Sequence, residues 1–342
     1  MKLMTFEDAL KKANRENRQH VLLGNGFSIA LEPDIFRYEA LYNNANFSSV
    51  PNAREIFEAL ETHDFEQVLR VLQQMSKIID IYAKEKPSLA ESIKADADKI
   101  KEVFVHAVAY GHPERPYSIE QHRYQYCRKF LNNFNHIYSV NYDVLLYWAL
   151  MNEDADELNL TPDDGFRDPT GDGSEDYVAW TSHQSATVHY LHGALHLFDA
   201  GDELQKYTWS RTGEPIVDQI RDALDNDKFP LFVSEGTSRE KLSRIMHNAY
   251  LHKSLRSLEQ IGGSLVIFGH SLGGNDHHII EAIGKSRITK CFISLYGDPD
   301  SDTNRHIRDA SQQIEKISER YHKGRTPEIH FFDAASAKVW GP

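Results

Sequence analysis

Three short segments carry residue types that nucleotide or acyl chemistry requires. Leu22-Leu23-Gly24-Asn25-Gly26-Phe27-Ser28 is an apolar run entering a tight glycine turn. Two residues without Cβ let main-chain N–H groups approach a pyrophosphate, and a helix beginning there adds free N–H groups and a dipole that favour anions. The third glycine of a Gly-x-Gly-x-x-Gly fingerprint is missing, so a plain strand-to-helix turn accounts for the segment equally well. Gly269-His270-Ser271-Leu272-Gly273 follows the apolar run Leu265-Val266-Ile267-Phe268 and fits the nucleophile elbow Gly-x-Ser-x-Gly, in which a sharp turn exposes a serine to a histidine base. A serine hydrolase built on Ser271 would need its acid from Asp298 or Asp300 and its base from His322 or His330. The third segment is a pair, Asn141 closing one apolar run and His192-Gly193 closing another. Ligands bind at the carboxyl ends of strands in doubly wound sheets, so a carboxamide and an imidazole placed there can face one crevice. Singly, a left-handed asparagine and a histidine held by a backbone partner are just as ordinary.

The 18 histidines raise the question of a metal. Asp276-His277-His278 forms one cluster and His183, His189, His192 and His196 another, but no His-Glu-x-x-His or similar ligand spacing occurs, and no metal is expected. Cys127 and Cys291 cannot build a disulfide framework or a Cys-x-x-Cys site, which fits a reducing cytoplasm. No apolar signal core opens the chain and no run of about 18 apolar residues occurs, so neither secretion nor a membrane span is expected. A formal charge of -13 has the wrong sign for binding nucleic acid through the bulk surface.

These segments need a scaffold, and the periodicity describes one. Residues 5–17 read as a helix with Thr5 as N-cap and Asp8 in capping-box register, followed by a strand at 20–23. Residues 51–130 are helical nearly throughout, with Phe57, Leu60, Phe65, Val68, Leu69, Leu72 and Met75 recurring mostly at steps of three and four. A strand at 137–143 breaks into a helix near Val144. Residues 154–176 are acidic and rich in glycine and proline, the composition of an exposed loop. Short strand-like runs follow at 177–180, 188–191 and 207–210. Strands at 231–233, 264–268, 291–295 and 328–332 then alternate with helices at 239–258, 277–283 and 303–320, which implies a parallel sheet covered by helices. With 342 residues, the expected plan is α/β: a doubly wound, Rossmann-like core from 1–50 and 131–342, a mixed insertion at about 151–230, and a helical subdomain at 51–130.

Taken in order, Leu23-Gly24-Asn25-Gly26-Phe27-Ser28, then Ser139-Val140-Asn141-Tyr142-Asp143-Val144-Leu145, then Leu191-His192-Gly193, then Phe268-Gly269-His270-Ser271-Leu272 resemble the sirtuin superfamily. The likeness is closer to the bacterial sirtuin-like NAD+-cleaving proteins of anti-phage systems, and it covers the sheet core, not the helical region. The four-cysteine zinc ribbon of deacetylating sirtuins is missing, so protein deacetylation is not expected. Pro33-Asp34-Ile35-Phe36-Arg37 is one residue longer than the corresponding sirtuin segment.

The resemblance implies an NAD+ glycohydrolase that releases nicotinamide and ADP-ribose, with Asn141 holding water or ribose hydroxyls and His192 as general base. It implies a dinucleotide site of Gly24, Asn25, Gly26, Phe27, Ser28, Asp34, Phe36, Arg37, Asp143, Gly193, Gly269, Ser271 and Leu272. Within it, Gly24, Gly26 and Ser28 would cradle the pyrophosphate, Asp143 would orient the nicotinamide carboxamide, and Ser271 would line the cofactor site instead of attacking. Homo-oligomers are implied too, sometimes docked on a hexameric ATPase; no Gly-x-x-x-x-Gly-Lys-Ser/Thr occurs here, so an ATPase would be another chain. A sensor that binds NAD+ or ADP-ribose without cleaving it is the non-enzymatic alternative.

Overall fold

A computed structural model describes residues 2–13, 18–183, 185–208, 212–234 and 236–342. Its strands are β1 (Gln19–Leu23), β2 (His136–Ser139), β3 (Phe166–Arg167), β4 (Tyr177–Trp180), β5 (Val188–Tyr190), β6 (Gly193–Asp199), β7 (Leu204–Tyr207), β8 (Pro230–Phe232), β9 (Gly262–Phe268), β10 (Arg287–Leu295) and β11 (Glu328–Asp333). Six of them form one sheet in the order β11-β10-β9-β1-β2-β5, and every neighbouring pair is parallel. Numbered within the sheet from the β5 edge, this is the 3-2-1-4-5-6 order of the doubly wound Rossmann fold. Val21, Leu22 and Leu23 of β1 and Leu265, Val266 and Ile267 of β9 are wholly buried, as strands covered on both faces must be. The α/β expectation holds.

The order of the sheet decides where a ligand can sit. The chain leaves β1 towards β2 on one side and later returns to β9 on the other, so the crevice lies outside the carboxyl ends of β1 and β9. All three sequence segments singled out above follow strands at that edge or beside it.

Several elements differ in detail. The first helix is Phe6–Ala13; Thr5 Oγ1 accepts from the Asp8 N–H (3.1 Å) as its cap requires, and positions 14–17 lie outside the described residues. Residues 239–258 are two helices, Ser238–His247 and Ala249–Gln260, because Asn248 is extended and its side chain caps Leu251 N (3.1 Å). The run at 188–191 is an edge strand of the parallel sheet and not part of the insertion. The run at 231–233 instead joins an antiparallel sheet in the order β3-β4-β7-β6-β8. An apolar triplet beside a turn does not encode which sheet it will pair with. The strand expected at 207–210 is Leu204–Tyr207, with 209 and 210 outside the described residues, and the loop at 154–176 contains the two-residue β3.

Residues 51–130 form the helices Ala53–Ala59, Phe65–Tyr82, Pro87–Gly111 and Gln121–Leu131. Their apolar face is continuous with the sheet's core: Phe65 stacks on Phe104 (4.9 Å between centroids), and Phe104 meets Tyr142 and Phe232. Among the described residues no helix is long and apolar enough to cross a membrane.

Towards the amino ends of β1 and β2, His20 and His136 are register partners, and the His136 ring stacks on that of His189 in β5. Burial pushes His20 down to about 4 and His189 to about 3, and also lowers His136. His112, His192, His196 and His278 are lowered by burial as well. A histidine kept neutral in the fold takes up its proton only on unfolding, so its stabilisation is present above pH 6.5 and is lost as pH falls towards the folded value. Asp64, Glu66 and Asp143, raised by burial, act in the opposite sense but are fewer. Unfolding stability, measured by urea titration, is therefore expected to fall between pH 7 and pH 5, each neutral buried histidine contributing up to about 2 kcal/mol; a flat profile would contradict this.

Candidate active site

A cavity of about 820 Å3 opens at the crevice. Its walls are the loops after β1, β2, β9 and β10, the helical region (Asp64, Glu66, Phe104, Val108) and the last residues of the chain. Trp340 holds that last segment in place by donating from Nε1 to the Phe27 carbonyl (2.9 Å). Of the residues expected at a dinucleotide site, Asn25, Gly26, Phe36, Arg37, Asn141, Asp143, His192, Gly269 and Ser271 line this one cavity. Gly24, Phe27, Ser28, Asp34, Gly193 and Leu272 do not.

The glycines have a different task from the one expected. A Cβ on Gly26 would lie 2.5 Å from Gly269 Cα, and one on Gly24 would lie 2.6 Å from the Gly269 carbonyl oxygen. The Gly24 N–H donates to Phe268 O (2.9 Å) and the Gly26 N–H to Gly269 O (2.8 Å). These two amides are therefore engaged and cannot cradle a phosphate; the glycines let the loops after β1 and β9 touch backbone to backbone. The helix that follows, Gly26–Ile29, has only four residues and supplies little dipole. Anions would instead meet Arg37, which forms no ion pair among the described residues, and Lys338; both are exposed at the cavity wall. Lys338 was not evident in the sequence.

Asn141 is buried two residues past β2. Its Nδ2 donates to the Gly24 carbonyl (3.0 Å) and Ser28 Oγ (3.1 Å), while its Oδ1 is buried with no partner among the described residues. Ser28 in turn donates to Asp143 Oδ2 (2.5 Å), and Asp143 Oδ1 accepts from Leu145 N (2.9 Å). Burial raises the Asp143 carboxyl, and these bonds from Ser28 and Leu145 offset part of that. Each Asp143 oxygen accepts one protein hydrogen bond, so the carboxylate and Ser28 act as supports that aim Asn141, and Asp143 itself also lines the cavity.

His192 stands in a group that sequence spacing did not bring together. Its Nε2 lies 2.9 Å from His278 Nε2 and 3.9 Å from Asp276 Oδ1. Lys241, with no exposed surface, bridges Asp276 Oδ1 (3.0 Å) and Glu66 Oε2 (2.9 Å). Glu66 also takes Asn275 Nδ2 (2.8 Å), and the Tyr142 hydroxyl lies 2.9 Å from its other oxygen. Burial works against the Asp276 carboxylate, but Lys241 and His270 overcome it and hold the group well below the usual range. Burial pushes Glu66 up to about 7 against the pull of Lys241. Burial likewise lowers His192, so it stands as a neutral imidazole. Ligand atoms of His192, Asp276 and His278 lie within 4.8 Å of one another, a spacing that a divalent ion would accept. The Asp276 oxygen on that side already takes the Lys241 ammonium, and two imidazole nitrogens 2.9 Å apart fit a shared proton. The signal for this group was in the sequence only as separate His and Asp clusters.

The hydrolase alternative is not assembled. Left-handed backbone falls on Gly269 and Leu272, not on Ser271, and among the described residues no histidine hydrogen-bonds Ser271 Oγ. His322 bonds the Lys285 carbonyl and His330 pairs with Glu328, while His270 faces Asp276.

Removing the ammonium tests the electrostatics. Lys241→Met leaves two buried carboxylates facing each other and is expected to lower stability by about 3–5 kcal/mol in denaturant titration. The loss should be larger at pH 8 than at pH 6, because protonating Glu66 relieves it.

Among curated proteins none matches the chain. Over residues 21–340 it matches the family described as a domain of unknown function, DUF4917, and it belongs to that family.

Proposed function

We propose that this protein is an NAD+ glycohydrolase of the sirtuin-like type, releasing nicotinamide and ADP-ribose. The observation that carries the reading is that Asn141 and His192, far apart in sequence, line one cavity at the switch point of a 3-2-1-4-5-6 parallel sheet. Dinucleotides bind at such points. Arg37 and Lys338 at the wall suit the diphosphate, and exposed Ser271 suits a ribose or phosphate oxygen.

The chemistry asks little of the protein by way of acid catalysis. The nicotinamide ring is a cation that departs neutral with the electron pair of the C1'–N bond, so no proton need be delivered. The transition state needs an oriented oxygen nucleophile and a base for its proton. Asn141 Oδ1, an acceptor with no partner among the described residues, takes the O–H of water or of a ribose hydroxyl, and neutral His192 receives the proton. Attack by water gives ADP-ribose; attack by a ribose hydroxyl gives a cyclised product.

Unregulated cleavage would drain the cell's own NAD+, so the activity belongs to a cytoplasmic effector switched on by assembly or by an activating chain during phage infection. Ile78, Ile81 and Tyr82, exposed on the helix Phe65–Tyr82, are one apolar surface available for such contacts.

Asn141→Ala and His192→Ala are each expected to lower nicotinamide release from NAD+, followed by chromatography, by at least about 100-fold with the circular dichroism spectrum unchanged. Turnover surviving both changes would exclude the assignment. NAD+ bound but left whole in every assembly state would make the chain a sensor instead.

A further inference from the structure

We propose that His278 is the positioning residue of His192, fixing which of its nitrogens meets the substrate. The inference rests on the reading of His192 as the base. His278 is the second residue of the helix His277–Lys285, which begins just beyond the loop after β9, and its side chain is buried. Ser238 Oγ accepts the His278 backbone N–H at 2.7 Å and lies 3.1 Å from His278 Nδ1. A hydroxyl has two lone pairs, so Ser238 can accept from Nδ1–H as well. His278 then presents the Nε2 lone pair to His192 Nε2, 2.9 Å away.

The proton between these nitrogens is assigned to His192. Asp276 Oδ1, 3.9 Å from His192 Nε2, favours an N–H on that atom, and Lys241 at 3.0 Å keeps Asp276 an anion that leaves the proton on the ring. With Nε2 carrying hydrogen and turned to His278, the Nδ1 lone pair is the one left for the cavity. In the reaction the nucleophile's O–H bond breaks, the proton joins His192 Nδ1, and the new imidazolium keeps its Nε2–H on His278 beside Asp276. The arrangement follows the logic of a base oriented by a third group, with an imidazole in the place of the usual carboxylate. The groups facing His192 are Asp276, Lys241, His278, His270 and Tyr142.

The test combines kinetics with a readout that needs no turnover. His278→Ala is expected to lower kcat on NAD+ by about 10- to 100-fold with KM little changed, and to move the acid limb of the pH profile. His278→Gln, whose amide oxygen can accept the same N–H, should recover most of the loss. Long-range nitrogen–proton spectra of 15N-histidine protein, with the His192 signal found by its absence in His192→Ala, should show one Nε2–H tautomer in the unaltered protein and a mixture in His278→Ala. A wild-type pH profile and tautomer in His278→Ala would overturn the proposal. So would one equivalent of divalent metal in the purified protein that His278→Ala loses, since the imidazoles would then be ligands. If the unaltered protein never cleaves NAD+, the glycohydrolase reading fails, and the tautomer spectra still decide the role of His278.

Discussion

Gly26 and Gly269 touch through their backbones, a Cβ on either lying within 2.6 Å of the other's Cα. That contact is possible only because β1 and β9 are parallel neighbours whose loops leave the same edge of the sheet. It sets the floor of the cavity and places the Asn141 amide, which donates to the Gly24 carbonyl of the same loop. Gly269 takes φ +66 in doing so, a conformation that side chains strain against. The loops, the amide and the cavity therefore depend on three positions that carry no side chain.

The second constraint is charge. Lys241 is enclosed by the fold, and its desolvation is tolerable only because Glu66 and Asp276 both contact it. Glu66 comes from the helical region and Asp276 from the loop after β9, so one ammonium joins the helices to the core at the wall of the site. The same ion pair keeps Asp276 charged beside His192. Stability and the electrostatics of the cavity wall thus share one set of atoms, and the helical region, with no motif of its own, contributes to both through Glu66.

The sheet was legible because a parallel strand buried on both faces reads as an unbroken apolar run: 20–23, 264–268 and 291–295 each extend by only a few residues in the structure. The triplet at 231–233 was misplaced for the same reason, since a short apolar run looks alike in either sheet. At the candidate site, types and strand ends sufficed to bring Asn141 and His192 to one cavity. The roles of Gly24, Gly26 and Asp143 were not legible, because a phosphate cradle and a close loop–loop contact demand the same residue, and a ligand-orienting carboxylate and a supporting one look alike. Lys241, Glu66, Asp276 and His278 come from three distant segments, and nothing in local spacing brings such groups together.

The polar groups at the cavity also define what it lacks. Asn141 spends its Nδ2 donors on Gly24 and Ser28, so the hydrogen-bonding capacity its amide has left is an acceptor, the buried Oδ1. In the proposed tautomer, His192 Nδ1 is a second acceptor. Behind them stands a group whose formal charges, Lys241 against Glu66 and Asp276, leave it anionic or proton-binding. A buried acceptor without a donor is costly, and a ligand that brings hydroxyl donors and a positive centre relieves both conditions at once. Under the proposed function, a ribose diol attached to a pyridinium ring would be such a ligand, and its reduced, uncharged counterpart would satisfy only the first condition.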